Sequence, residues 1–327
     1  LKASGSIHGN PMVGLTPGGG GDGFVEYGPV FHALTTVSAA LSIGGSVAVI
    51  VTFLLFPQLR RFFSRLVVYL AISDLWLCTS MLLGQSRAPH YTKCAVQSAF
   101  GTFFGLASIL WSVAIADSVR RVLLARDLSV EARYEARLHA FAWGLPFAAL
   151  VVVLSTGVVG PAGMMCWIRN TAVGTVVRFV TFYVPLWLAI GYSVWVYWYV
   201  TAMMHELLLQ QQSNGGTEYE ASVLEYQQDI ERQRRSLQCM LLIPLILVFC
   251  WAPSTVRRLV DIFVPDLGAT PLDYLCVFAG PLQGALNALV YGATPAVRDA
   301  VLGRLDHSAR PGRRRRFQRL DEDTTPG

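Results

Sequence analysis

Long runs without Asp, Glu, Lys or Arg divide this chain into seven apolar segments. No charged residue lies between Glu26 and Arg60, and only Asp74 lies between Arg65 and Arg87. A helix that crosses a membrane needs about 20 mostly apolar residues, because the hydrocarbon core is about 30 Å thick. The pattern therefore predicts seven membrane-spanning helices, at residues 30–56, 66–86, 94–119, 138–160, 175–204, 236–262 and 271–292.

The composition supports a membrane protein and excludes other classes. Of the 327 residues, 53% are hydrophobic and 14% are charged, whereas soluble domains carry about 25% charged residues. A soluble fold of this length needs a charged surface that 26 basic and 21 acidic residues cannot supply. The same numbers argue against intrinsic disorder and against nucleic-acid binding, despite the net charge of +5. We predict an all-α membrane protein built as a seven-transmembrane-helix bundle.

The basic residues set the predicted orientation. The loops at 57–65, 120–137 and 205–235, together with the segment from 293 onward, hold 19 of the 26 lysines and arginines. Because Lys and Arg accumulate on the cytoplasmic side of membrane proteins, we place these segments inside and the N-terminus outside. We expect a multi-pass protein of the plasma membrane.

The chain is expected to have four parts. Residues 1–29, rich in Gly, Ser and Pro, form a flexible extracellular lead-in, and residues 30–292 form the seven-helix domain. Residues 293–305 fit a short amphipathic helix on the membrane surface, and residues 306–327 form a basic cytoplasmic tail. The tail run Arg313–Arg316 is typical of an anchor to anionic lipid headgroups, so membrane lipids rather than nucleic acid are the expected partners.

Two cysteines differ from the others. Cys94 opens the third span and Cys166 lies in the loop between spans four and five, both on the outer, oxidising side. A disulfide between them would tie that loop over the mouth of the bundle, and two separate thiols are the alternative. No Cys/His cluster has metal-ligand spacing, and the lysines Lys2 and Lys93 exclude a retinal attached in span seven. No cofactor is expected.

Three polar residues are predicted to meet in the cytoplasmic half of the bundle. A buried carboxylate such as Asp74, in span two, normally has a partner or a function. Ser108 lies 14 residues below Cys94, which is about 21 Å along a helix, and Asn287 lies at a similar depth in span seven. The three could hold a sodium ion, water molecules or a proton and act as a switch. A structural hydrogen-bond cluster is the equally open alternative.

The ordered set of motifs resembles a G-protein-coupled receptor. These motifs are the outer cysteine pair, Asp74 in span two, "FCWAP" at Phe249–Pro253 and "NALVY" at Asn287–Tyr291. "CWI" at 166–168, "FYVPLW" at 182–187 and "PLQGALNALVYG" at 281–292 resemble the cyclic-AMP-receptor-like group. The chain departs from rhodopsin-like receptors at "ADSVRR" (116–121) and at Gly44 and Gly45, although "FCWAP" is closer to them.

The resemblance implies a mechanism and a transducer. Pro253 kinks span six, and Trp251 beside it would convert ligand contact into an outward movement of the inner end of that span. A structural kink with Trp251 in the core is the alternative. Asn287 and Tyr291 belong to the same expected switch. The expected partner is a heterotrimeric G protein.

The inner ends of spans three and six supply the arginines that would face the G protein. We expect Arg120 or Arg121 to pair with a carboxylate at rest and to be released on opening. Arg234 and Arg235 begin span six on the same side. The alternative for each arginine is a plain positive-inside flank.

Arginines at the outer mouth suggest an anionic small-molecule ligand, such as a nucleotide or carboxylate, and the resemblance implies one of the cyclic AMP type. The expected anchors are Arg178 and Arg257, with Trp167 and Trp111 as walls. The alternative is contact with lipid headgroups and with the aspartates at 261, 266 and 273. Since no enzyme motif is present, the remaining functional alternative is a seven-helix channel, transporter or non-signalling scaffold.

Overall fold

The computed structural model describes residues 28–83, 91–125, 131–162, 165–213, 221–264 and 270–309. The helices are α1 (Pro29–Leu55), α2 (Phe62–Leu83), α3 (Tyr91–Ala125), α4 (Glu131–Ser155), α5 (Ala172–Arg178), α6 (Val184–Ser213), α7 (Ala221–Phe263), α8 (Pro271–Ala279), α9 (Gln283–Ala293) and α10 (Pro295–Ala309). The strands are β1 (Val159–Pro161) and β2 (Cys166–Ile168). Most of the predicted lead-in and tail, with Arg313–Arg316, lies outside the described residues.

The helices account for the predicted spans. Six of them in the described part of the chain are long and apolar enough to cross a membrane, and spans one to four correspond to α1 to α4. Span five comprises α5 and α6, and span six is the apolar part of α7. Span seven is the pair α8 and α9, which bend by 43° at a short break. We keep the words outer and inner for the two ends, as the charge pattern predicts them.

Span three lies at the centre of the bundle. In its apolar window 67% of the residues are buried, against 28% for span one and for span four. It packs against spans two, four, five and six and against both strands. Large apolar side chains point outward from the peripheral spans, as for Leu188 in span five, which is 69% exposed. This arrangement suits a bundle that faces lipid.

The second glycine of the pair Gly44 and Gly45 is explained by a close helix contact. A Cβ on Gly45 would lie 3.0 Å from the Cβ of Ala288 and 3.1 Å from the Cα of Ala285 in α9. Small residues let membrane helices approach closely. A larger residue at position 45 would therefore push span one away from span seven.

Two helices differ in detail from the predicted spans. Span four begins at Glu131, seven residues before the predicted start, because the polar segment before the apolar run is also helical. Span five contains one π-helical turn, Phe179–Tyr183, between α5 and α6. Pro185 follows this turn and cannot donate a backbone hydrogen bond, which suits a wider turn here. The helix of span five is therefore interrupted by a π turn.

Candidate functional site

The disulfide predicted from the sequence is present. Cys94, near the outer end of α3, is bonded to Cys166, and their Cα atoms are 5.0 Å apart. Cys166 begins β2, which pairs antiparallel with β1. The loop between spans four and five therefore carries a hairpin, formed by β1 and β2 and called the outer hairpin below, that is covalently fixed to span three.

Side chains of span three hold the outer hairpin in place. The Cys166 amide donates to Gln97 Oε1 at 3.0 Å, and the Ser98 hydroxyl donates to the Trp167 carbonyl at 3.1 Å. The Trp167 indole Nε1 donates to Thr102 Oγ1 at 2.9 Å. Because all three strand residues from Cys166 to Ile168 are buried, the hairpin is part of the bundle core.

Arg178, predicted as a ligand anchor, instead supports the outer hairpin. The residue is only 4% exposed. Its guanidinium donates to the Ile168 carbonyl and, at 2.7 Å, to Asn170 Oδ1. The guanidinium carbon also lies 5.5 Å from the centre of the Trp167 ring. These contacts hold the Arg178 guanidinium against the loop, so we do not retain Arg178 as a ligand anchor.

Arg257, the second predicted anchor, joins spans six and seven at their outer ends. Its Nε donates to Asp273 Oδ1 at 2.8 Å, and the two side chains are 14% and 7% exposed. Asp273 also accepts from the backbone and hydroxyl of Thr270 and so caps α8. The neighbouring Arg258 donates to the Tyr183 hydroxyl at 3.1 Å. Arg257 thus connects span six to span seven, and Arg258 connects it to span five.

Trp111 does not line the outer mouth, in contrast to the prediction. It is fully buried and packs against Tyr69, His139 and Trp143 of spans two and four, with ring centres 4.8, 5.1 and 5.6 Å away. It lies 17 residues after Cys94, or about 25 Å along the helix. At that depth Trp111 is a packing residue between spans two, three and four.

The three polar residues that were predicted to converge, Asp74, Ser108 and Asn287, do come together. The Ser108 hydroxyl donates to Asp74 Oδ1 at 2.5 Å, and Asn287 Nδ2 donates to Asp74 Oδ2 at 3.0 Å. Asp74 is 2% exposed, Ser108 is 1% exposed and Asn287 is 3% exposed. Spans two, three and seven are therefore joined through one buried carboxylate.

Gln283 extends this cluster to span six, and the sequence-based set of site residues does not contain it. Its Nε2 donates to Ser108 Oγ at 2.8 Å, and its Oε1 accepts from Trp251 Nε1 at 2.7 Å. We call the chain Trp251–Gln283–Ser108–Asp74–Asn287 the midplane chain. The sequence does contain a signal for Gln283, because this residue lies one helical turn before Asn287 on the same helix face.

The remaining switch residues lie beside the midplane chain. Pro253 lies inside α7, which continues from Ala221 to Phe263 through both of its prolines. Tyr291, one turn after Asn287, is 2% exposed and belongs to the apolar core. Pro253 and Tyr291 thus follow Trp251 and Asn287 of the midplane chain by two and four residues along their own helices.

A second cluster at the inner end of span three centres on Asp117. The Tyr192 and Tyr134 hydroxyls donate to its carboxylate at 2.6 and 2.7 Å. Arg120 Nη2 and Arg121 Nε also donate to it, each at 2.7 Å. We call these five residues the inner cluster. It joins span three to span four through Tyr134 and to span five through Tyr192.

The predicted G-protein-facing arginines are therefore found in two settings. Arg120 and Arg121 are paired with Asp117, on the same helix. Arg235 is exposed, and the side chain of Arg234 lies outside the described residues. A bidentate pair between Arg65 and Glu135 joins spans two and four at the same level, with distances of 2.9 and 2.7 Å.

A helical bundle with this outer disulfide, midplane chain and inner cluster is typical of seven-helix receptors, and the comparisons with known proteins agree. The structure of squid rhodopsin matches over 97% of this chain and 98% of that chain, with a TM-score of 0.65 and 16% sequence identity. This match shows the fold.

Sequence comparison identifies the family. The model of the slime mold cyclic AMP receptor matches residues 29–277. G-protein coupled receptor 1 from Arabidopsis thaliana is 31% identical over 295 residues, which cover 89% of this chain and 86% of that protein. Cyclic AMP receptor 4 from Dictyostelium discoideum is 24% identical over 70% of this chain and 50% of that protein. The chain belongs to the cyclic-AMP-receptor-like family of G-protein-coupled receptors.

Proposed function

We propose that this receptor passes an extracellular signal across the plasma membrane to a heterotrimeric G protein by moving the inner end of span six. The midplane chain is the observation that carries this proposal. It leads by direct hydrogen bonds from Trp251 in span six to Asp74 in span two. Because Pro253 lies two residues after Trp251, a displacement of the indole is expected to change the bend of span six.

The inner cluster is proposed to hold the resting state. Buried carboxylates bind strongly to arginine and tyrosine donors, and Asp117 collects such donors from three helices. Movement of span six, followed by span five, would withdraw Tyr192 and release Arg120 for a G protein. Arg121, Arg234 and Arg235 are proposed to lie on the same face.

The proposed ligand is a small anion of the cyclic AMP type. A relative in the family is named a cyclic AMP receptor, and Arg257 and Arg258 lie at the outer ends of the spans. Since Arg257 already binds the Asp273 carboxylate, a phosphate of the ligand would replace that carboxylate. Guanidinium groups bind phosphates and carboxylates in the same two-pronged geometry.

Nucleotide exchange on a G protein tests both parts of the proposal. The purified receptor, with heterotrimeric G proteins and cyclic AMP, is expected to accelerate GTPγS binding. Arg257→Gln keeps a donor for Asp273 but loses the charge, so the half-maximal cyclic AMP concentration should rise about tenfold. The exposed Lys93, at the outer end of span three, provides the control variant Lys93→Gln. Absence of exchange with every G protein, together with ionic currents on expression, would favour the channel alternative.

We also propose that Asp74 binds a sodium ion. Ser46 Oγ and Asn287 Oδ1 are buried beside the midplane chain and have no hydrogen-bond partner among the described residues. A Cβ on Gly284 would overlap with the Ser42 hydroxyl and lie 2.9 Å from the Asp74 Cβ and 3.0 Å from Ser46 Oγ. Oxygen atoms around a carboxylate fit a hard cation. An ion there would neutralise Asp74.

Gly284→Ala is expected to remove the effect of sodium on stability. In the parent receptor, replacing choline chloride with sodium chloride should raise the thermal midpoint, because an ion that binds only the folded state stabilises it. The added methyl group crowds Ser42, Ser46 and Asp74 and should abolish that rise. Gly292→Ala is the matched control on α9, since its Cβ meets nothing within 4 Å. An unchanged sodium effect in Gly284→Ala would contradict the site.

A further inference from the structure

The Trp167 side chain lies inside the bundle rather than above it. The residue is 9% exposed, and its indole donates to Thr102, eight residues after Cys94 on span three. This depth is about 12 Å along the helix axis. A side chain of the outer hairpin therefore occupies space in the outer half of the bundle.

The Trp167 ring begins a series of contacts that ends at Trp251. It meets the Phe182 ring edge to face, with centres 5.1 Å apart, and Phe182 meets Trp251 at 5.2 Å. We call these three rings the aromatic column. Phe182 lies directly against span three, because a Cβ on Gly105 would be 3.3 Å from its ring. The column leads from the outer hairpin to the first residue of the midplane chain.

The attachment of the hairpin keeps the Trp167 ring beside Phe182 in the absence of a ligand. The disulfide, Gln97 and Ser98 fix the backbone on both sides of Trp167, and Arg178 lies over its ring. A group that is tethered and already ordered binds at high effective concentration and loses little entropy on contact. The Trp167 ring thus has the properties of a bound apolar ligand that belongs to the chain.

We infer that Trp167 is a tethered ligand that holds span six in its resting position. The inference rests on the proposed function, which defines the resting state as the one in which the inner cluster is closed. In the structure the column is intact while the inner cluster is closed and Trp251 is bonded to Gln283, so the inserted ring accompanies the resting arrangement. Tyr183 links the column to the arginines, since it lies 6.2 Å from Trp167 and accepts from Arg258. An external ligand at these arginines acts by displacing the Trp167 ring.

Replacement of Trp167 tests the inference directly. In purified receptor without added ligand, Trp167→Ala is expected to raise nucleotide exchange about fivefold, which corresponds to the loss of one aromatic contact. Trp167→Phe keeps a ring and should stay close to the parent. Trp198→Ala removes a lipid-facing indole that is 66% exposed and serves as the matched control. Unchanged or lower exchange in Trp167→Ala, at equal concentration of folded receptor, overturns the inference.

A probe on span six separates this inference from the proposed function. A trifluoromethyl label on a cysteine introduced at Arg235 reports the inner end of the span by NMR without any G protein, after subtraction of the parent signals. If the label shifts in Trp167→Ala but no G protein responds to any variant, the proposed function fails and the tethered ligand stands. If Trp251→Ala changes label and exchange while Trp167→Ala changes neither, the tethered ligand is wrong and the receptor stands.

A second variant tests the inference in case Trp167→Ala does not fold. If Trp167→Ala does not reach the membrane, Phe182→Leu breaks the aromatic column without altering the hairpin. It carries the same expectation for exchange and for the label. Parent-like values in Phe182→Leu would overturn the inference.

Discussion

Asp117→Asn is expected to raise ligand-independent nucleotide exchange about tenfold. The carboxylate accepts from Tyr192, Tyr134 and both arginines, and an asparagine amide directs its own donors at some of these groups. A hydrogen bond to a charged group contributes about 1.5–3 kcal/mol, and about 1.4 kcal/mol is a factor of ten in an equilibrium. Loss of one such bond that exists only in the resting state therefore accounts for the effect. Exchange on purified receptor, normalised to the concentration of folded receptor, is the measurement.

Two tyrosine variants show which helix contact matters. Tyr192→Phe removes the contact between spans three and five. Because this hydrogen bond is made to the charged Asp117 carboxylate, the variant should also raise exchange about tenfold. Tyr134→Phe removes the contact to span four, which does not move in the proposed mechanism, and should leave exchange close to the parent. Equal exchange in parent and Asp117→Asn would refute the role of the inner cluster.

Removal of the disulfide is expected to be the most destabilising change. The bond joins residues 72 positions apart. For a loop of this length the chain-entropy model gives a stabilisation of about 4 kcal/mol. Because span four stays helical inside the membrane even when the hairpin detaches, we expect the disulfide to stabilise the fold by about 2–4 kcal/mol. In a chain of this size we expect the thermal midpoint to fall by about 5 °C or more.

The measurement is thermal denaturation of Cys94→Ser/Cys166→Ser in detergent. Reducing agent should lower the midpoint of the parent to that of the double variant and leave the double variant unchanged. Cys239→Ser removes a free cysteine of span six and is the matched control. A double variant that denatures at the parent temperature would show that the hydrogen bonds of Gln97, Ser98 and Thr102 are sufficient to fix the hairpin.

Spacing along single helices explains what the sequence predicted well. The charge-free runs determined the spans, and the rise of 1.5 Å per residue placed Ser108 and Asn287 at the level of Asp74. The same arithmetic places Trp111 about 25 Å below Cys94, too deep for a wall of the outer mouth. That error came from treating a tryptophan near the apolar core as a ligand contact without its depth.

Contacts between distant segments explain what the sequence could not predict. Arg178 lies at the outer end of span five. There the sequence alone does not distinguish lipid headgroups, a ligand and the loop as partners of its guanidinium. Its actual acceptors, the Ile168 carbonyl and Asn170, depend on how the hairpin folds back. Asp117 could not be assigned as the common acceptor for the same reason, because Tyr134 and Tyr192 belong to other helices.

The π turn of span five affects how this span is aligned with the same span of related proteins. One extra residue in a turn rotates everything that follows by about 100° relative to an uninterrupted α-helix. Phe182 and Tyr183 lie within the turn, and Tyr192 follows it by nine positions. In a relative whose span five lacks the extra residue, an alignment anchored at the outer end would pair Tyr192 with the wrong position. Equivalent inner residues of this span are therefore found by counting back from its inner end.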